Sequence, residues 1–204
     1  MNRLACLAPL AVLALAACEN AQEPASAPPA ATAPATPVTP APAADPNVLT
    51  AEGMGPVRIG MTTAQLTAAW GPDDDLEAVG GAEPEVCDEF HPARAPKGVL
   101  VMVQEGVLTR IALIDDSPVK TDRGFGVGDT GLAIKQAYGG AVIAEPNKYT
   151  PPPAEDLTTW AHGGSTNWVE DPTARGIRYQ VGTDGKVQTV LAGDPSIQLV
   201  EGCA

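Results

Sequence analysis

The chain has two histidines, His91 and His162, and few serines from which a nucleophilic site could be built. A Ser/His/Asp site would have to use Ser117 or Ser165, and no nucleophile-elbow pattern surrounds either. The run Cys87-Asp88-Glu89-Phe90-His91 gathers metal-ligating types. On a predicted strand it supplies two or three ligands at most, short of a zinc set, and no Cys-x-x-Cys is present. Asp73-Asp74-Asp75 lacks the alternating ligands and central glycine of a calcium loop, so it reads as a solvated turn. Gly124-Phe125-Gly126-Val127-Gly128 has glycines but neither a βαβ setting nor a P-loop lysine. These patterns point away from catalysis. The expectation is a protein that is not an enzyme and carries no metal or cofactor.

Binding chemistry has better candidates. The segment 145–175 holds Tyr149, Trp160, His162, Trp168 and the run Pro151-Pro152-Pro153. Two of the three tryptophans fall there, in a chain only 4% aromatic. Aromatics on loops above a sheet make anchors for a partner protein or a saccharide. Tyr149, Trp160 and Trp168 are therefore the candidate binding residues. The competing expectation is that the tryptophans cover the sheet and close its core. Acidic residues outnumber basic ones 25 to 12, for a formal charge of −13. That balance excludes nucleic acid and polybasic attachment to anionic lipid.

The elements that must position these residues show an internal echo. Val57-Arg58-Ile59-Gly60-Met61-Thr62 leads into Leu66, Ala69, Trp70 and Gly71; Phe125-Gly126-Val127-Gly128-Asp129-Thr130 leads into Ile134, Ala137, Tyr138 and Gly139. Thr62 and Thr130 predict N-caps. The apolar residues at i, i+3 and i+4 predict one helix face in each copy, and the glycines predict C-caps. Hairpins are expected after them: 99–103 with 107–114 around Gln104-Glu105-Gly106, and 177–181 with 187–192 around Thr183-Asp184-Gly185. A third strand is expected before each hairpin, at 85–90 and 157–161, and a last one at 197–201. The expected fold class is α+β: two tandem repeats, about 48–118 and 119–204, each a short helix followed by antiparallel strands, with the helices packed on sheet.

Ile59-Gly60-Met61-Thr62, Leu66 and Gly71-Pro72, with a weaker copy at Val127-Gly128-Asp129, carry a resemblance. The pattern is similar to the tandem-repeat fold of β-lactamase inhibitor proteins and to the SmpA/OmlA-type lipoproteins of the outer-membrane barrel-assembly machinery. The second copy lacks the methionine and the proline. The ending Glu201-Gly202-Cys203 also resembles a group of proteobacterial lipoproteins, a likeness that implies no activity.

The start of the chain carries a second resemblance. Arg3 precedes an apolar run, 4–17, too short to span a bilayer as a stable helix, and Leu15-Ala16-Ala17-Cys18 follows. That arrangement resembles the bacterial lipobox, which implies cleavage before Cys18 and acylation of its new N-terminus. Residues 1–17 are then a signal peptide that includes Cys6, and 18–47 an acylated cysteine with a tether. Of the residues 19–47, 18 of 29 are Ala or Pro, so no helix propagates there. Such a tether reaches about 90 Å at roughly 3.1 Å per residue. The globular domain is 48–204. In an oxidising compartment the two remaining cysteines, Cys87 and Cys203, are expected to pair in a disulfide.

The functional expectation is a non-catalytic lipoprotein, anchored through its N-terminal lipid on the periplasmic face of the envelope. Glu19 leaves transport to the outer membrane open, and that membrane is favoured over the inner. Its expected partner is another envelope protein, in envelope assembly or maintenance or as an inhibitor. The alternatives are a glycan or small-ligand binder and an envelope hydrolase of unrecognised type.

Overall fold

The computed structural model describes residues 48–74, 76 and 80–203. The expected signal peptide, Cys18, the expected tether and Asp75 lie outside the described residues. Three short strands open the domain, β1 (Val48–Thr50), β2 (Gly53–Met54) and β3 (Val57–Arg58), followed by helix α1 (Thr63–Trp70). Then come β4 (Cys87–Phe90), β5 (Val99–Gln104), β6 (Val107–Leu113) and β7 (Lys120–Thr121). Helix α2 (Gly131–Tyr138) precedes β8 (Ile143–Pro146), β9 (Glu155–His162), β10 (Arg175–Val181) and β11 (Val187–Gly193). A 3-10 turn, Pro195–Gln198, ends the regular structure among the described residues.

The strands form a seven-stranded antiparallel sheet, ordered β4-β5-β6-β11-β10-β9-β8, and a four-stranded one, β3-β2-β1-β7, in which β1 and β7 run parallel. The tight hairpin between β5 and β6 turns on Glu105 and Gly106, at φ 49° and 77°. Positive φ at both central residues matches the right-handed twist of the flanking strands. The β10–β11 hairpin closes through Gly182 and Lys186, with Gly185 at φ 73°. Pairing of β6 with β11, from Leu113 opposite Val190 to Arg110 opposite Gly193, joins the two hairpins into one continuous sheet.

This architecture corrects the expected fold class. Among the described residues the protein is mostly β-sheet, with two α-helices of eight residues each, and it is not a pair of helix-on-sheet repeats. The reason lies in what each helix buries. In α1 only Leu66 and Trp70 are buried, and in α2 only Gly131 and Ile134. Leu66, wholly buried, contributes about 1.5–3 kcal/mol, which is too little for helices to organise the core. The inner face of the large sheet is instead covered jointly by the helices and the small sheet, whose Leu49, Met54 and Val57 join Val101, Ile111, Tyr179 and Val190 in one core. Two- and three-residue strands carry no readable alternation, so β1, β2, β3 and β7 had no signal in the sequence. The strand expected at 197–201 is also absent: Asp194 caps a 3-10 turn there, accepting from the Ser196 amide at 2.8 Å.

Both helices are stitched to hairpins at their N-termini. Thr62 caps α1 in a reciprocal box with Gln65, and Thr63 N donates to Gly106 O at 2.9 Å. Thr130 caps α2, and Gly131 N donates to Gly185 O at 3.0 Å. A Cβ on Gly131 would stand 3.0 Å from Val181 Cγ2, so glycine lets α2 lie close on β10. Tyr138 hydroxyl meets Tyr179 hydroxyl at 3.1 Å, and Thr121 meets the latter at 3.2 Å. Burial pushes the Tyr179 phenol far above its ordinary range, so it stays neutral in this core.

Candidate ligand recess

The opposite, outer face of the large sheet is where the polar chemistry collects. Strand alternation sends Ile177 and Tyr179 into the core and Arg178 outward. The same alternation turns Asp156, Thr158 and Trp160 of β9 and Glu145 of β8 to that outer side, beside Arg178. Arg178 pairs with Asp156 at 2.5 Å; the two side chains are 9% and 1% exposed. The Nε of Arg178 is buried without a hydrogen-bond partner among the described residues. Further along the face Arg110 pairs with Glu89, and burial pulls its guanidinium below the ordinary arginine range against the opposing pull of Glu89.

Over this face runs the C-terminal segment. Ile197 is completely buried in a small cluster with Ala112 and Leu191, against which Trp160 packs. Arg110 Nη1 donates to Ser196 O and Leu199 O, both at 3.2 Å. Gln198 clasps the backbone of Val169, accepting from its N at 3.0 Å and donating to its O at 2.9 Å. Cys87 and Cys203 are joined in a disulfide, 116 residues apart in sequence.

Between this segment and β8–β10 lies a recess of about 230 Å³. Trp160, Trp168, Ile143 and Val200 supply its apolar walls, and Glu145, Thr158, Ser165, Thr166, Asn167, Arg178 and Gln198 its polar ones. Trp160 is held firmly: a Cβ on Gly164 would fall 1.8 Å from its Cγ, and one on Gly176 2.7 Å from its Cε3. Glycine at both positions lets the backbone lie against the indole. Trp168 is 60% exposed and Tyr149 59%. Tyr149 lines an adjoining groove of about 240 Å³, and Trp168 borders another of about 260 Å³; Val200 lines all three depressions.

The structure therefore brings the three candidate aromatics to one region but gives them different duties. Trp160 is a packed floor, whereas Trp168 and Tyr149 project. Sequence reading missed Arg178, Glu145, Gln198 and Val200. Arg178 had a signal, as the polar residue between Ile177 and Tyr179 in an alternating strand. Gln198 and Val200 had none, because a strand was expected across them.

The other chemical candidates separate. His91 Nδ1 donates to Val99 O at 2.8 Å, and His162 Nε2 meets Glu52 Oε1 at 2.8 Å. Ser165 instead accepts from Asn167 N and donates to Asn167 O. Ser117 accepts from Val119 N. No histidine–serine pair forms among the described residues, and Cys87 is consumed by its disulfide. No group of three metal-ligating side chains gathers among the described residues either. The glycine turn at 124–128 is filled from within: Asp129 Oδ2 accepts from Gly126 N at 2.8 Å and pairs with Lys120 at 2.6 Å. A second depression of about 330 Å³, on the side of Glu52, Arg123 and Tyr138, also touches Trp160; there Arg123 sits 5.1 Å above the Tyr138 ring.

No family model matches this chain, and no curated protein does. Among solved structures it is similar to an extracellular protein containing an SCP domain from Bacillus anthracis str. Ames, at 12% identity and a TM-score of 0.43. The match covers 70% of this chain and 46% of the other, so the chain spans about half the length of that protein. No helix among the described residues is long and apolar enough to cross a membrane.

Proposed function

We propose that this chain is a non-catalytic, lipid-anchored protein of the bacterial envelope that captures a glycan strand at the outer-face recess. The lipid anchor rests on the lipobox-like Leu15-Ala16-Ala17-Cys18, and the reach toward a glycan layer on the Ala/Pro tether. The recess itself carries the choice of ligand. At about 230 Å³ it is smaller than an ordinary small-molecule pocket, and suits one sugar ring. Two tryptophans offer apolar faces for a ring, while Arg178, Glu145, Asn167 and Gln198 offer donors and acceptors for hydroxyl and amide groups. Two further grooves share Val200 with it, which suits a chain of rings.

Capture of an envelope protein is the second reading, favoured by the projecting Trp168 and Tyr149. Isothermal titration with chitotriose and co-sedimentation with isolated peptidoglycan test the first. Binding that weakens about tenfold in Trp168→Ala, with the fold intact, supports it; a tenfold loss corresponds to about 1.4 kcal/mol. Absence of any sugar binding, together with one dominant protein crosslinked in cells through position 168, would replace it with the second.

A further inference from the structure

We infer that the C-terminal strap is a movable wall of this recess, latched by the Cys87–Cys203 disulfide, so that reducing the bond loosens ligand capture while the sheet stays folded. The inference rests on the ligand reading above and adds its regulation. The strap divides at Leu199. Before that point it is fastened to the sheet by the buried Ile197, by Arg110 donating to Ser196 O and Leu199 O, and by the Gln198 clasp on Val169. Beyond it the fastenings thin out. Glu201 meets Lys148 at 3.6 Å with both side chains more than half exposed, and Cys203 N donates to Glu89 Oε2 at 3.4 Å. An exposed ion pair of that length holds little. The disulfide is the one strong attachment after Leu199 among the described residues, and Val200, the residue common to all three depressions, lies between it and the fastened part.

The chemistry is a thiol–disulfide exchange with a dithiol of the envelope as reductant. Its thiolate attacks one sulfur of the bond, a mixed disulfide forms, and its second thiol resolves it. Two electrons and two protons pass to Cys87 and Cys203, which become thiols, and the reductant leaves as a disulfide. Both cysteines are only half-buried, so the bond is within reach. Freed, 200–203 swings on Leu199, and the recess loses its Val200 wall and merges with its neighbours.

The test uses the protein oxidised, reduced with an excess of a phosphine, and as Cys203→Ser. Methyl NMR follows Val200 on the strap and Val190 in the core. The expected result is a Val200 order parameter that falls into the flexible range on reduction, with Val190 unchanged, and the same pattern in Cys203→Ser without reductant. Chitotriose affinity should fall at least fivefold in parallel. A Val200 signal indifferent to reduction overturns the proposal, as does simultaneous loss of the Val190 signal, which would mean that the bond holds the whole fold. If the oxidised protein fails to bind chitotriose, the sugar reading fails, and the Val200 measurement still decides the latch.

Discussion

Replacing Asp156 by alanine strands a guanidinium inside the protein. Arg178 is 9% exposed in its side chain, already has one unsatisfied nitrogen, and has Asp156 as its only ion-pair partner among the described residues. Removing one member of such a pair costs about 3–5 kcal/mol, because the remaining charge stays desolvated. With a urea slope of about 2 kcal/mol/M, the unfolding midpoint should drop by about 1.5–2.5 M. The double replacement Asp156→Ala with Arg178→Met removes the orphaned charge and should recover much of that loss. The two changes are therefore strongly non-additive, and a double-mutant cycle in urea reads the coupling directly. Lys97 and Asp116, paired at 2.9 Å with both side chains more than 70% exposed, are the control, and breaking that pair should leave the midpoint where it was. An Asp156→Ala protein within about 1 kcal/mol of the parent, or a double variant as unstable as the sum of the singles, would refute the reasoning.

Two further expectations concern acid and helix ends. Burial alone would raise the Asp129 carboxyl, but hydrogen bonds from Lys120 and Gly126 and the Lys120 charge outweigh it and hold it below the ordinary carboxylate range. A depressed folded-state value means that its stabilisation is present above the unfolded value, near pH 4, and is lost as pH falls through the folded one. Asp129→Asn should therefore flatten the fall in urea midpoint between pH 5 and about pH 2, and an unchanged slope would contradict the assignment. Thr62→Ala should cost about 0.5–2 kcal/mol and more than Thr130→Ala, because it loses the Thr62 hydroxyl's bond to Gln65 Oε1 as well as the cap on Gln65 N, whereas the matching position beside Thr130 is Ala133. Equal losses measured in urea would count against the reciprocal box.

What could be read from the sequence was what a short stretch decides by itself. Thr62 and Thr130 cap their helices as expected, and Glu105-Gly106 turns its hairpin where the apolar runs stop. Those features depend on local sterics and on hydrogen bonds three residues apart. What failed was the inference from such pieces to a whole. Two similar helix starts predicted two helix-on-sheet modules, but the pairing of β6 with β11 fuses the hairpins into one sheet. That pairing joins residues about eighty apart, and no local pattern announces it. The binding region shows the same division. Trp160, Trp168 and Tyr149 stood out by type alone, whereas Arg178 and Val200 matter because sheet order and a disulfide carry them beside the aromatics.

The first strand has a mechanical consequence. A pull applied at Val48 loads a strand of three residues. Its neighbour Leu49 is wholly buried, and β1 is gripped along both edges, by β2 on one side and by β7 on the other. A pull applied there is thus shared between two flanking strands and a plug of apolar side chain. This strand should hold its seat under loads that would peel away one bonded along a single border.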